Sequence, residues 1–305
     1  MAEAEEDRAK RSAGLVPYGL LSPGVLWLLL FFLVPLVTLA RTSLSVKTSR
    51  FDPNDIHFSW ETANFTNAIS DYSEQFIRSF VYAGIATLLC IAIGYPMAYV
   101  IAFRGGRFKN LLLGLVVVPF FTSFLIRTLA WVNVLSDQGP VISILDRLQL
   151  VSVLNSLGIM SDGRLLSTHV AVIGGLTYNF LPFMILPIYA SLERIDIRLI
   201  EAGKDLYASA TQSFLRVTLP LSMPGVVAGV LLTFIPAAGD YVNAQFLGGV
   251  GNRMIGNVIQ SLYLSQSNYP SAAALSFVLM ALIMIAVVIY IRFAGSEALM
   301  GEEAR

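Results

Sequence analysis

Two charged residues stand inside long apolar runs, and they are where chemistry is most readily sought. Arg127 interrupts the run from Asn110 to Leu135, and Asp240 the run from Pro224 to Leu247. A charge in hydrocarbon is costly, so such residues normally line a cavity, pair with one another, or reach the interface. Taken as straight helices at about 1.5 Å per residue, the runs put Arg127 about 26 Å and Asp240 about 24 Å from their inner ends. Similar height predicts a common vestibule and an ion pair between the two. Two other readings stay open: Asp240 contacts a cationic ligand directly, or Arg127 snorkels outward while Asp240 caps local backbone. Trp131, Tyr178 and Tyr241 could present aromatic faces to an ammonium group, and Asn133, Asn179 and Asn243 could present carbonyls. Aromatic residues near span ends are equally at home as interfacial anchors.

Catalytic arrangements are missing. The chain has no GxxxxGK[ST] phosphate loop, no HExxH, no GxSxG and no CxxC, and His57 and His169 are far apart in sequence. Nucleotide hydrolysis therefore belongs to another polypeptide if it drives this one. No metal or cofactor is implied, and no catalytic residue is assigned. Cys90 is the single cysteine, which excludes an internal disulfide. The 20 basic and 20 acidic residues balance, which gives no electrostatic footprint for nucleic acid.

The elements that position these residues follow from the composition. Of 305 residues 56% are hydrophobic and 13% charged, more apolar surface than one soluble core can hide. Six segments are long enough to span a bilayer as helices: 16–40, 79–103, 110–135, 167–191, 224–247 and 270–293. The stretch 141–160 carries Asp146, Arg147 and Asn155 and is expected to lie at the interface. Basic residues divide twelve to seven in favour of the side holding the N-terminus, 104–109, 192–223 and the C-terminus. The positive-inside rule then predicts both termini in the cytoplasm. The organisation expected is a tail 1–15, a membrane domain 16–293 and a tail 294–305. Pro96, Pro119, Pro182, Pro187 and Pro236 fall within spans and predict kinks. Gly225 and Gly229 predict close helix packing.

The segment 192–225 is long for a connection and reads as a helical hairpin. Ile195, Ile197, Leu199, Ile200 and Leu206 supply an apolar face, and Glu193, Asp196, Glu201, Lys204 and Asp205 a polar one. Ser209 with Gln212 predicts a capping box that starts a second short helix. This segment resembles the EAA motif of permeases from binding-protein-dependent ABC importers: Glu-Ala-Ala, three residues, Gly, nine residues, Ile-x-Leu-Pro. Glu201 and Ala202 match, as do Val217, Leu219 and Pro220 in type and spacing. Gly203 replaces the third alanine and Tyr207 the glycine. A left-handed backbone at Tyr207 would cost about 1–2 kcal/mol.

The resemblance implies that Glu201, Ala202, Gly203, Asp205, Leu206, Tyr207, Leu219 and Pro220 form a coupling element that docks on a cytoplasmic ATPase, with Glu201 in polar contact. The stretches 120–135, 176–196, 234–249 and 253–260 are similar to the spermidine/putrescine branch, and the similarity extends over roughly 75–293. It implies an all-α, six-span type I permease fold in a prokaryotic plasma membrane. It also implies a second related permease, two ATPase subunits and an extracytoplasmic binding protein, with Arg127, Trp131, Tyr178, Asn179, Asp240, Tyr241 and Asn243 along the substrate path. An importer of another small solute (anion, iron or sugar) and an ion-coupled secondary transporter are the alternatives.

Overall fold

In a computed structural model of the chain, the described residues are 20–48, 52, 55–156, 158–205 and 207–295. The expected tails apart from residues 294–295, residues 16–19 of the first span, and Leu206 lie outside them. The architecture is helical. α1 spans Leu20–Ser43, α2 Ala63–Arg104, α7 His169–Glu193, α9 Ala210–Ala238 and α12 Tyr269–Phe293, each long and apolar enough to cross a membrane. A two-stranded antiparallel hairpin, β1 (Ser45–Lys47) with β2 (Ile56–Phe58), joins α1 to α2. Shorter helices complete the chain: α3 Gly106–Phe121, α4 Phe124–Leu135, α5 Pro140–Arg147, α6 Val151–Ser156, α8 Ile197–Asp205, α10 Val242–Leu247 and α11 Ile255–Gln260.

The third apolar run is not one straight helix. Gly106–Phe121 and Phe124–Arg147 meet at 95°, and counted as one broken span they bring the total to six. Pro119 tightens the end of α3 into a 3₁₀ turn, and Thr122 and Ser123 are extended, with ψ of 146° and 136°. The Thr122 hydroxyl closes the turn by donating to the Pro119 carbonyl at 2.8 Å. The fifth run also breaks. α9 stops at Ala238, and the chain turns through Gly239, Asp240 and Tyr241 into α10. The stretch 141–160 is two short helices rather than one, joined through Gln149 at φ 57°. α2 begins sixteen residues before the expected span and kinks at Tyr72.

α2, α7 and α9 form the central packing unit. Lipid is as apolar as leucine, so helices associate here through close contact and interhelical hydrogen bonds rather than by expelling water. Glycine supplies the contact. A Cβ at Gly225 would lie 2.5 Å from the Pro187 carbonyl oxygen, and one at Gly229 2.7 Å from Met184 Sδ. The predicted pair of glycines thus seats α9 on α7. The Tyr95 hydroxyl bonds Ser222 Oγ at 2.8 Å, joining α2 to α9, and Cys90 Sγ donates to the Thr177 carbonyl at 3.4 Å, joining α2 to α7. α7 is the most buried of the spans, whereas the apolar window of α1 buries none of its residues.

This packing makes glycine at position 225 obligatory. Gly225→Ala is expected to cost about 1–3 kcal/mol through overpacking, read as a lowered unfolding midpoint in detergent. Gly84→Ala, where the added methyl meets nothing within 4 Å, should leave the midpoint unchanged.

Candidate substrate pathway and coupling loop

The two breaks bring polar residues together inside the bundle. α7 carries Asn179, 1% exposed; α10 carries Asn243, 0% exposed; and α4 carries Thr128, also buried. Asn179 Nδ2 donates to Asn243 Oδ1 at 3.0 Å and to Thr128 Oγ1 at 3.5 Å. Asn179 Oδ1 and Asn243 Nδ2 are buried without a protein partner. An amide carbonyl and an amide N–H are thereby left unsatisfied in the interior. The approach is close because position 175 lacks a side chain: a Cβ on Gly175 would fall 2.8 Å from Asn243 Oδ1.

Asp240 sits in the break between α9 and α10 and is 8% exposed. Its Oδ1 accepts the Asn243 backbone N–H at 2.8 Å, which caps α10. The expected ion pair with Arg127 does not form, and the capping reading describes the local geometry. Because the third run bends at Thr122–Ser123, Arg127 lies one turn into α4, not far out along a straight span. Its guanidinium carbon stands 5.9 Å from the Phe120 ring and 5.7 Å from the Phe124 ring, and Nε and Nη1 are buried with no protein partner. Trp131 and Tyr178 stack edge to face at 5.3 Å, linking α4 to α7. Tyr178 and Tyr241 remain partly exposed and Asn133 is exposed.

Residues not singled out by charge hold this arrangement. Asn257 Nδ2 donates to the Tyr241 carbonyl at 2.7 Å and to Gln245 Oε1 at 3.3 Å, while its Oδ1 accepts the Met254 N–H at 3.0 Å. It staples the break. Gly256 lets α11 approach: a Cβ there would lie 2.6 Å from the Gly239 carbonyl oxygen. Ser79 Oγ accepts the Ile255 N–H at 2.8 Å and ties α2 to α11. Asn257 lies outside the six apolar segments, so the signal that drew notice to Asn179, a polar side chain in an apolar run, does not reach it.

The hairpin 192–223 is built from caps. Asp196 Oδ1 accepts the Arg198 N–H at 2.9 Å and starts α8. Tyr207 adopts φ 60°, a left-handed conformation, and the Ala208 N–H reaches back to the Gly203 carbonyl at 3.0 Å. This six-to-one bond is a Schellman closure. Ser209 and Gln212 form the predicted capping box, at 3.2 and 3.0 Å. Gly203 faces the second helix; a Cβ there would lie 3.3 Å from Ser213 Oγ. A π-helical turn, Phe214–Thr218, precedes Leu219 and Pro220, where proline has no N–H to leave unbonded. Glu201, Ala202, Asp205 and Pro220 are exposed, and Tyr207 is 98% exposed. The apolar face divides. Ile195 is buried and Ile200 packs on the core, but Ile197 and Leu199 are exposed. The Lys109 ammonium donates to Glu193 Oε1 at 2.7 Å, fastening the basic loop 104–109 to the root of the hairpin.

Residues 91–296 match the family described as the binding-protein-dependent transport system inner membrane component. The chain belongs to this family. The permease is 40% identical, over 87% of its length and 90% of the relative's, to the spermidine/putrescine transport system permease PotB of Haemophilus influenzae. It is 37% identical to PotB of Escherichia coli, over 87% of this chain and 93% of the relative. A bacterial ABC transporter for import of the acidic polysaccharide alginate has the same fold, with TM-score 0.64 at 17% identity over 94% of this chain and 97% of that one. The same alginate transporter, in complex with a pentasaccharide-bound periplasmic protein, also superposes at 0.64, with 18% identity over 95% and 98% of the two chains. The fold of this permease is therefore the type I importer fold, and the chain is a transport component of the membrane.

Two substitutions test the geometry. Asn243→Leu removes the shorter of the two bonds from the buried Asn179 amide and leaves only the 3.5 Å contact with Thr128, which should cost about 1–3 kcal/mol and lower the unfolding midpoint in detergent. Tyr207→Gly relieves the left-handed penalty at position 207, for a net gain of at most about 1 kcal/mol after the extra unfolded-state entropy. Amide exchange at Ala208 should slow in that variant and accelerate in Tyr207→Val.

Proposed function

We propose that this permease forms half of the translocation path of an ATP-driven importer for polyamines such as spermidine and putrescine. The observation that carries the cargo is its 37–40% identity, across almost the whole chain, to permeases of spermidine/putrescine transport systems. The geometry agrees with a cationic solute. Asp240 is a buried carboxylate with no cation paired to it among the described residues. Beside it, Asn179 and Asn243 hold polar groups without protein partners, and Tyr178, Tyr241 and Trp131 offer aromatic faces for an ammonium group. The unpaired Arg127 nitrogens favour a second reading, an anionic solute carried by the same class of importer.

In this reading both termini and the hairpin 192–223 face the cytoplasm, and segments 41–78, 136–166 and 248–269 face outward to an extracytoplasmic binding protein. A second, related permease completes the path, and two ATPase subunits hydrolyse the nucleotide. The exposed Glu201, Ala202 and Asp205, with Ile197 and Leu199 beside them, form the surface that receives the ATPase. Motion there enters α9 directly, because the second helix of the hairpin is continuous with that span. The breaks at Thr122–Ser123 and Gly239–Tyr241 are the joints at which the path opens to one side and then the other.

The assembled importer in vesicles should take up labelled spermidine with ATP. Asp240→Asn should assemble normally and lose at least about tenfold in uptake, the equivalent of about 1.4 kcal/mol. Unchanged uptake in that variant would remove Asp240 from the path. Glu201→Lys should insert in the membrane yet fail to bring an ATPase through gentle-detergent purification. If the unaltered chain purifies alone under conditions that preserve other importers, the ATP-driven reading is wrong.

A further inference from the structure

The hairpin after α1 ends in an aromatic pair that no part of the path uses. Strand register sets Ser45 opposite Phe58 and Lys47 opposite Ile56. The N–H groups of Ser59 and Glu61 both donate to the Leu44 carbonyl, at 3.4 and 2.9 Å. Asn64 Nδ2 donates to the carbonyls of Ser43 and Ser45, at 3.0 and 2.9 Å. These four bonds hold Trp60 beside the last turn of α1. α1 is 24 residues long, about 36 Å at about 1.5 Å per residue against a hydrocarbon core of about 30 Å, so its last turn, with Trp60 beside it, falls near the edge of that core.

Trp60 stands there in an unusual state. Its φ is 53°, a conformation bulky side chains avoid, and its side chain is turned away from the protein, 71% exposed. Phe58 packs edge-on to it at 5.1 Å and is 41% exposed. The Arg41 guanidinium lies 5.9 Å over the Phe58 ring. In water, two large aromatic rings held outward in this way gain nothing. At a membrane interface the indole buries its ring in the acyl boundary while its N–H stays among the headgroups. An arginine beside it supplies a cation for lipid phosphate. Val37 and Val34, both exposed, share the face of α1 that carries Arg41, by their four- and three-residue spacing.

We propose that Trp60, Phe58 and Arg41 form a lipid-binding patch that seats the outer end of α1 in the headgroup layer. α1 needs such a seat, because its last turns pack on α12 while its apolar window buries nothing within the chain. The inference does not depend on the cargo. It requires only that the chain spans a bilayer.

The test uses the purified chain in vesicles of phosphatidylethanolamine and phosphatidylglycerol. The emission difference between the unaltered chain and Trp60→Phe isolates Trp60 from Trp27 and Trp131. That difference should be blue-shifted, and it should be lost most strongly to lipids brominated near the headgroup and less to lipids brominated at the chain end. An unshifted emission open to iodide and untouched by brominated lipid would overturn the proposal. A blue shift that arises only on adding the importer's extracytoplasmic binding protein would also overturn it, and would assign the patch to protein docking instead.

Discussion

A peptide group in hydrocarbon has no water to bond, so each N–H and C=O must find a partner within the protein. This constraint organises the whole chain. It turns the apolar runs into helices, and it confines irregular backbone to places where the protein itself supplies hydrogen bonds. Both breaks obey it. At Thr122–Ser123 a side-chain hydroxyl closes the turn, and at Gly239–Tyr241 the Asp240 carboxylate caps α10 while Asn257 takes up the Tyr241 carbonyl. The polar side chains that look expensive in an apolar run are what make the breaks tolerable.

Close packing is the second consequence. Without a hydrophobic force between helices, the central unit relies on contact at van der Waals distance, which glycine permits at positions 225, 229 and 175. Position 175 does double service. It lets α10 approach α7, and by doing so it aligns Asn243 with Asn179. A bulkier residue would separate the two amides and loosen the site together with the fold.

The hairpin 192–223 follows different rules because its charged and polar residues let local caps, rather than close helix packing, set its shape. Caps define it: Asp196 at its start, the Schellman turn at Tyr207, and the Ser209–Gln212 box. Tyrosine where the motif has glycine shows that the turn geometry outweighs the residue's own preference. The bond from Ala208 to Gly203 and the capping box just after it hold the left-handed conformation against a cost of about 1–2 kcal/mol. Gly203 in place of alanine relieves crowding against Ser213, so the two departures from the motif fall on the two sides of one turn.

Much of this was legible in the sequence. Length and hydropathy determined the apolar segments, because a span needs about 20 residues whatever surrounds them. The spacing of Glu201, Ala202, Leu219 and Pro220 determined the loop and its family, and Ser209 with Gln212 determined a cap, since capping is a local interaction. Tertiary structure decided the rest. Whether Arg127 meets Asp240 depends on a 95° bend that a run of apolar letters does not encode. Thr128, Asn257 and Gly256 gain their roles only from helices distant in sequence. Hydropathy is a sum over one segment, whereas a hydrogen bond between segments depends on how they pack.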